Sequence, residues 1–142
     1  MNCITYRSGY NYQLQEDYVI ATGIEPVPPT STEYISLAPY GTLTIRKGYA
    51  WDGPSGPAID TLNFMRGSLV HDALYQLMRE GLLEGSFRES VDRLLQRICK
   101  EDGMSTVRAW WVYQGVRFGG GAAADPARKK PFILAPRSCQ SA

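Results

Sequence analysis

Residues 48–93 read GYAWDGPSGPAIDTLNFMRGSLVHDALYQLMREGLLEGSFRESVDR and contain the only histidine of the 142-residue chain. The pattern over residues 62–80 predicts a helix, which ends where Gly81 can leave the helical conformation at low cost. Ser86, with Glu89 three residues later, forms a capping-box pattern that predicts the start of a second helix. The connection between the two helices, residues 81–85, is short, and a short connection favours antiparallel packing.

The predicted helical hairpin brings several polar side chains together. His71 lies about nine residues before the end of the first helix and Asp92 about six after the start of the second, so at ~1.5 Å per residue they reach similar heights. Tyr75 follows His71 by one turn and shares its face, whereas Asp72 is rotated by about 100°. The spacing therefore predicts a contact between His71 and Asp92, and it directs Asp72 toward the preceding loop.

That loop, residues 51–57, contains two prolines that restrict φ and two glycines that accept unusual backbone conformations. Such a loop can direct several backbone carbonyls to one point, beside the carboxylates of Asp52 and Asp72. Hard cations such as calcium prefer roughly six to eight oxygen ligands of this kind. With His71, these groups indicate a hydrolytic site in which a carboxylate orients a general base beside a cation that stabilises an oxyanion.

The same stretch resembles the small secretory phospholipases that cleave the sn-2 ester of glycerophospholipids, especially their compact bacterial and fungal members. The shared pattern is an Asp-Gly loop, an HDxxY helix and an aspartate on the antiparallel partner helix. The resemblance implies that His71 is the base that activates water. It also implies that Asp92 holds the imidazole and that Tyr75 hydrogen-bonds to Asp92. The expected substrate is a phospholipid or another component of the cell envelope.

Calcium is the cofactor that this resemblance implies. Asp72 would bind it together with Asp52 and with loop carbonyls, for which Gly53 and Ser55 are the candidates. The secretory phospholipases pin their loop and helices with disulfides, but here the three cysteines lie elsewhere, and free thiols are expected. The loop must then be held by proline and packing alone.

A second resemblance, over residues 46–120, is to an uncharacterised family that occurs widely in tailed phages and prophages. Its pattern is WDGxSxP, then HDxLY, then RxxxD on the next helix. Two functions follow and stay open at this point. One is a phage-encoded calcium-dependent lipid esterase, or a related envelope hydrolase, used in entry or lysis. The other is a non-catalytic virion component, such as a tail or head accessory protein, that keeps the hairpin as a scaffold and contacts other virion proteins.

The remaining sequence predicts an α+β fold. Strands are predicted at residues 18–21, 34–37 and 42–46, where β-branched and aromatic residues cluster or alternate. A third helix is predicted over residues 105–118, ending at three glycines. We expect antiparallel N-terminal strands to pack on the helical hairpin, with the third, C-terminal helix completing the fold.

One domain is expected over residues 1–121, with the site loop and hairpin at 48–101. Residues 122–142, rich in alanine, proline and basic residues, are expected to form a flexible or partner-docked tail. Trp110 and Trp111 suit either a peripheral membrane contact or the core, and core packing is expected for at least one of them.

Composition limits the possible partners and locations. A formal charge of +1 argues against broad binding of nucleic acid, and no apolar run approaches the ~20 residues that span a bilayer. The first residues lack the basic start and apolar core of a signal peptide. Synthesis in the host cytoplasm is therefore expected, with the virion or the host envelope as possible later locations.

Other hydrolase classes fit the sequence poorly. Zinc hydrolases and HD-type phosphohydrolases use several histidines, and this chain has one. A serine triad through Ser55 or Ser68 lacks the nucleophile-elbow pattern. Cys99 is the one cysteine that could approach His71, and its sequence context gives no sign of activation.

Overall fold

The structure, a computed structural model, describes residues 3–4, 6–7, 12–26, 28–52 and 62–125. Over these ranges, short antiparallel strands in two sheets precede three helices and a final helical turn. The predicted α+β class is confirmed, with the strands, the helical hairpin and the third helix in the expected order.

The strands are short and fall into a four-stranded and a three-stranded sheet. The larger sheet has the order β3-β6-β5-β4 and the smaller the order β1-β2-β7, and every pairing is antiparallel. The strands are β1 (Tyr6–Arg7), β2 (Tyr12–Leu14), β3 (Tyr18–Ala21), β4 (Thr30–Ser31), β5 (Ile35–Leu37), β6 (Thr42–Ile45) and β7 (Ala50–Trp51).

Alternation along β5 and β6 explains why the larger sheet has one buried face. Ile35 pairs with Ile45, and Leu37 pairs with Leu43. All four side chains are fully buried, while the residues between them are more exposed. Successive side chains of a strand point to opposite faces, so this pattern directs one face of the sheet into the core.

The smaller sheet was not predicted, and it attaches the start of the site loop. Tyr12 pairs with Trp51 and Gln13 with Ala50, so β7 pairs with β2, a strand almost forty residues earlier in the chain. Trp51 is buried, and its indole nitrogen donates a hydrogen bond of 3.0 Å to the hydroxyl of Ser68 on the first helix. Backbone pairing and this side-chain bond therefore fix the position of Asp52.

The helices are α1 (Leu62–Arg79), α2 (Arg88–Glu101), α3 (Thr106–Gly119) and the turn α4 (Gly121–Ala124). The predicted capping box at Ser86 is wrong. A short 3₁₀ helix, Gly85–Phe87, takes up Ser86 and leaves Phe87 at the N-cap of α2 without a side-chain cap. The Ser86 hydroxyl instead donates to the carboxylate of Glu84.

The contacts between α1 and α2 confirm the antiparallel hairpin. Arg66, near the start of α1, pairs with Asp102 just beyond the end of α2, whereas His71 meets Asp92 near the start of α2. Gly67 allows the close approach, because a Cβ there would lie 2.9 Å from the Cδ1 atom of Leu95.

The hydrophobic core has two parts. The main part joins both sheets to the buried faces of α1 and α2, and Ala124 of α4 also packs into it. A smaller part lies between the start of α1, the end of α2 and α3, and contains Phe64, Leu95, Cys99, Met104 and Ala109.

The expectation that Trp110 or Trp111 packs in the core is wrong. Their side chains are 47% and 64% exposed. Of the residues of α3, all of which the structure describes, Ala109 alone is buried. The helix rests on its neighbours through small and medium side chains, so both indoles stand on its outer side.

The described chain ends shortly after α4. The predicted tail, residues 122–142, starts inside this helical turn, because α4 continues to Ala124 and Ala124 is buried, while residues 126–142 lie outside the described residues. None of the helices in the described ranges is long and apolar enough to cross a membrane.

Candidate active site

A cavity of about 910 Å³ opens between β7, α1 and α3. Asp52 reaches it from the end of β7, His71 and Asp72 from α1, and Trp111 and Val112 from α3. The cavity thus combines the predicted polar residues with an apolar wall supplied by α3.

The predicted contact between His71 and Asp92 is present. The His71 Nε2 atom lies 2.8 Å from a carboxylate oxygen of Asp92. Asp92 is fully buried and His71 is 8% exposed. An ionised carboxylate accepts hydrogen bonds only, so Nε2 carries the hydrogen and the neutral imidazole keeps its lone pair on Nδ1.

Two further side chains complete the surroundings of Asp92. The Tyr75 hydroxyl donates a bond of 2.6 Å to the oxygen that His71 contacts, as predicted, and the two rings pack with centroids 4.1 Å apart. Arg117 of α3 donates to the other oxygen at 3.0 Å. Sequence reasoning missed Arg117, whose only signal is a basic residue in the last turn of a mostly apolar helix.

The end of α3 is fixed against this cluster. Arg88 donates to the carbonyl oxygens of Val116 and Arg117, at 3.3 and 2.6 Å. A Cβ at Gly120 would lie 2.6 Å from the hydroxyl oxygen of Tyr75, so the bond from Tyr75 to Asp92 depends on a residue without a side chain.

The electrostatic environment separates the pKa values of the buried pair. Burial lowers the pKa of His71, but the interactions with Asp72 and Asp92 outweigh it and the net pKa is raised above the usual 6.5. Burial raises the pKa of Asp92, but the bonds from His71 and Tyr75, the His71 charge and the bond from Arg117 lower it overall. Asp92 therefore stays ionised and favours a protonated imidazole.

The Nδ1 atom is the ring nitrogen of His71 that Asp92 does not contact, and both His71 and Asp72 line the cavity. Nδ1 lies 3.9 Å from the Oδ1 atom of Asp72, beyond direct hydrogen-bonding distance. Because Asp92 holds Nε2, Nδ1 is the nitrogen that can accept a proton from a molecule bound in the cavity.

Asp52 and Asp72 form an acidic pair on the cavity. Burial raises the pKa of Asp72, the charge of Asp52 raises it further, and His71 lowers it. Carboxylates of this kind suit a hard cation. Within the described ranges, no group of three or more His, Cys, Asp or Glu residues is placed to hold a metal ion. The other predicted ligands, Gly53 and Ser55, lie outside the described residues.

The competing nucleophiles are engaged or inactive. The Ser68 hydroxyl donates to the carbonyl of Met65 and accepts from Trp51. Burial raises the pKa of the Cys99 thiol to about 12, with a further contribution from Asp102. Neither group has the activation that a nucleophile requires.

Proton NMR can test the raised pKa, because the single histidine gives one isolated ring signal. We expect its titration midpoint to lie above 6.5 and to fall in Asp92→Asn, which removes the charge that favours the imidazolium. The protonated ring stabilises the fold fully below pH 6.5, and this contribution is lost as the pH rises through the raised pKa. A midpoint at or below 6.5 in the native protein would contradict the assignment.

The fold and the site define a small α+β protein with a buried histidine–aspartate pair at the wall of a cavity. Its chain belongs to the DUF1353 family, proteins of unknown function, whose profile matches residues 31–116. The match includes His71, Tyr75 and Asp92 and stops one residue before Arg117. Comparison with curated proteins found no match, and comparison with solved structures found none.

Proposed function

We propose that this protein is a phage-encoded, calcium-dependent lipid esterase of the phospholipase type, or a related hydrolase of envelope lipids. The observation that carries the proposal is the bond between His71 Nε2 and the buried carboxylate of Asp92, which leaves Nδ1 free of Asp92 on a residue that lines the cavity beside Asp72. A carboxylate-oriented imidazole facing a cavity is the usual arrangement of a general base.

His71 would act first as a base and then as an acid. Its Nδ1 atom takes a proton from a water molecule, and the resulting hydroxide attacks the carbonyl carbon of the ester. When the tetrahedral intermediate collapses, the C–O bond to the leaving alcohol breaks and the imidazolium returns its proton to that alkoxide. Asp92 stabilises the imidazolium throughout, and Tyr75 fixes the orientation of the carboxylate.

Asp72 and Asp52 would hold the cation, together with oxygens of the loop that follows Asp52. Calcium bound there would polarise the ester carbonyl and stabilise the developing oxyanion. The raised pKa of Asp72 supports this assignment, because a buried carboxylate with the charge of Asp52 nearby is costly to ionise until a cation neutralises it.

The apolar wall of the cavity suits an acyl chain. Phe64 and Leu95 line its inner part, and Val112 and Val116 line the side formed by α3. Removing an alkyl chain from water gains about 0.8 kcal/mol per buried CH₂, so this wall would favour esters of long-chain acids.

Calcium binding tests the proposal directly. We expect calorimetry to detect calcium binding by the native protein and little or none by Asp72→Asn, which keeps the shape of the side chain and removes its charge. On the same samples, fatty-acid release from mixed phospholipid vesicles should require calcium and should be lost in the variant. Glu84→Gln, an exposed acidic residue of the α1–α2 connection, is the matched control.

The two measurements, calcium binding and fatty-acid release, distinguish the outcomes. Binding lost in Asp72→Asn, with calcium-dependent release by the native protein, would support both the hydrolase and its metal site. Release that continues in the presence of a chelator would remove calcium from the proposal. Absence of both activities would contradict the esterase and favour the second candidate.

The second candidate is a non-catalytic virion component, such as a tail or head accessory protein. The observation that favours it is the full set of bonds on Asp92, which joins α1, α2 and α3 and would stabilise a scaffold whether or not His71 reacts. It predicts that the protein is present in purified particles and contacts other virion proteins. A protein absent from particles would contradict it.

A further inference from the structure

We infer that the outer face of α3 is a membrane-docking surface that places the mouth of the cavity against a lipid bilayer. That the docked bilayer supplies a lipid substrate to the cavity rests on the proposed esterase function. The surface, here called the α3 stripe, consists of Val107, Trp110, Trp111 and Phe118. Their exposed fractions are 68%, 47%, 64% and 95%.

Helical spacing explains why these residues form one surface. Trp110, Trp111 and Phe118 follow Val107 by three, four and eleven residues, and at about 100° per residue the four positions fall on one side of the helix. Trp110 and Trp111 contact each other edge to face, with ring centroids 5.1 Å apart. The four side chains therefore form one apolar patch, whereas single exposed apolar side chains need no explanation.

The residue types favour a bilayer as the partner. Tryptophan is enriched at the depth of lipid headgroups, and an interfacial helix presents tryptophan and phenylalanine on one side. The sequence of α3 contains Arg108 and Arg117 and no acidic residue. Nothing on this helix therefore repels the anionic lipids that such surfaces bind.

The stripe is continuous with the candidate active site. Trp111 is largely exposed and also lines the cavity, and Arg108 and Gly115 line the cavity on the same side of α3. A Cβ at Gly115 would meet nothing within 4 Å, so this side of the helix is open. A lipid that leaves a bilayer in contact with the stripe would enter the cavity past Trp111.

The size of the stripe argues against a second copy of the chain. A helix of 14 residues is about 21 Å long and about 10–12 Å wide with its side chains, so one face covers roughly 200–250 Å². Stable protein interfaces bury about 800 Å² on each partner. A bilayer sets no such minimum, because binding strengthens with every apolar side chain inserted.

Vesicle binding tests the inference without any need for hydrolysis. The probe is a flotation assay with vesicles of phosphatidylcholine and phosphatidylglycerol, applied to His71→Ala so that the lipids stay intact. In that background we expect Trp110→Ser/Phe118→Ser to weaken vesicle partitioning by about tenfold or more, since two large apolar side chains are removed. Serine has a helix propensity close to those of tryptophan and phenylalanine, so α3 should be preserved.

Tyr40→Ser is the matched control, because Tyr40 is an aromatic residue that is 86% exposed in the turn between β5 and β6. It should bind vesicles like its parent. With an otherwise native chain, Trp110→Ser/Phe118→Ser should hydrolyse a water-soluble short-chain ester at the native rate, since neither residue lines the cavity. Circular dichroism verifies the fold of each variant.

Three results would overturn the inference. These are no vesicle binding by the parent, equal binding by the stripe variant, or a native dimer in sedimentation that the stripe variant converts to a monomer. The last result would identify the stripe as an interface between copies. A protein that binds vesicles through the α3 stripe but has no esterase activity would support the docking surface. The same result would contradict the proposed function.

Discussion

Replacement of His71 by alanine is expected to lower phospholipid hydrolysis by about 10²–10⁴-fold, the usual contribution of a positioned general base. The substitution removes the group that would accept the proton from water. It leaves Asp92 with two of its partners, Tyr75 and Arg117, so the buried carboxylate stays hydrogen-bonded and the fold should persist. Fatty-acid release from vesicles measures the rate, and circular dichroism measures the fold.

The control is Arg97→Ala, which changes an exposed residue on the outer side of α2 and should keep the native rate. Hydrolysis retained by folded His71→Ala would show that the imidazole is not the base. A drop of equal size in Arg97→Ala would indicate damage unrelated to the site.

Replacement of Asp92 by alanine is expected to lower the free energy of unfolding by about 3–5 kcal/mol, the range for removing one partner of a buried ion pair. His71 and Tyr75 would lose their acceptor while remaining buried, which costs the desolvation of each polar group. Arg117 contributes less to this loss because its side chain is 31% exposed and can turn toward water. Urea denaturation gives the difference directly.

Glu89→Ala is the control on the same helix, since the pair between Glu89 and Arg93 is solvent-exposed and such pairs add little to stability. The loss in Asp92→Ala should also shrink in acid. The pKa of Asp92 is lowered, so its stabilisation is present above pH 3.8 and disappears as the pH falls through the lowered pKa. A loss no larger than that of Glu89→Ala would contradict the proposed role of the cluster.

The sequence predicted the hairpin and the meeting of His71 with Asp92 because both depend on local rules. The helical period determines which residues share a face, and the rise per residue determines their heights.

Features that depend on long-range pairing could not be predicted in the same way. The two-residue strand β7 has too few residues to show alternation, and its partner β2 lies far upstream. Arg117 looked like an ordinary basic residue at the end of a helix, and only the packing of α3 on α2 reveals that it contacts Asp92. The outward direction of Trp110 was hidden because α3 is apolar on nearly every side.

The bonds on Asp92 also determine how the protein opens. A fluctuation that lifts α3 from α2 breaks the bond from Arg117 to Asp92 and lets water reach the carboxylate that orients the imidazole. The site and the three-helix bundle should therefore form and melt as one cooperative unit. A chain that has formed only the hairpin would lack the bond from Arg117 to Asp92, and amide hydrogen exchange in α3 would report on the fraction of molecules in which that bond has formed.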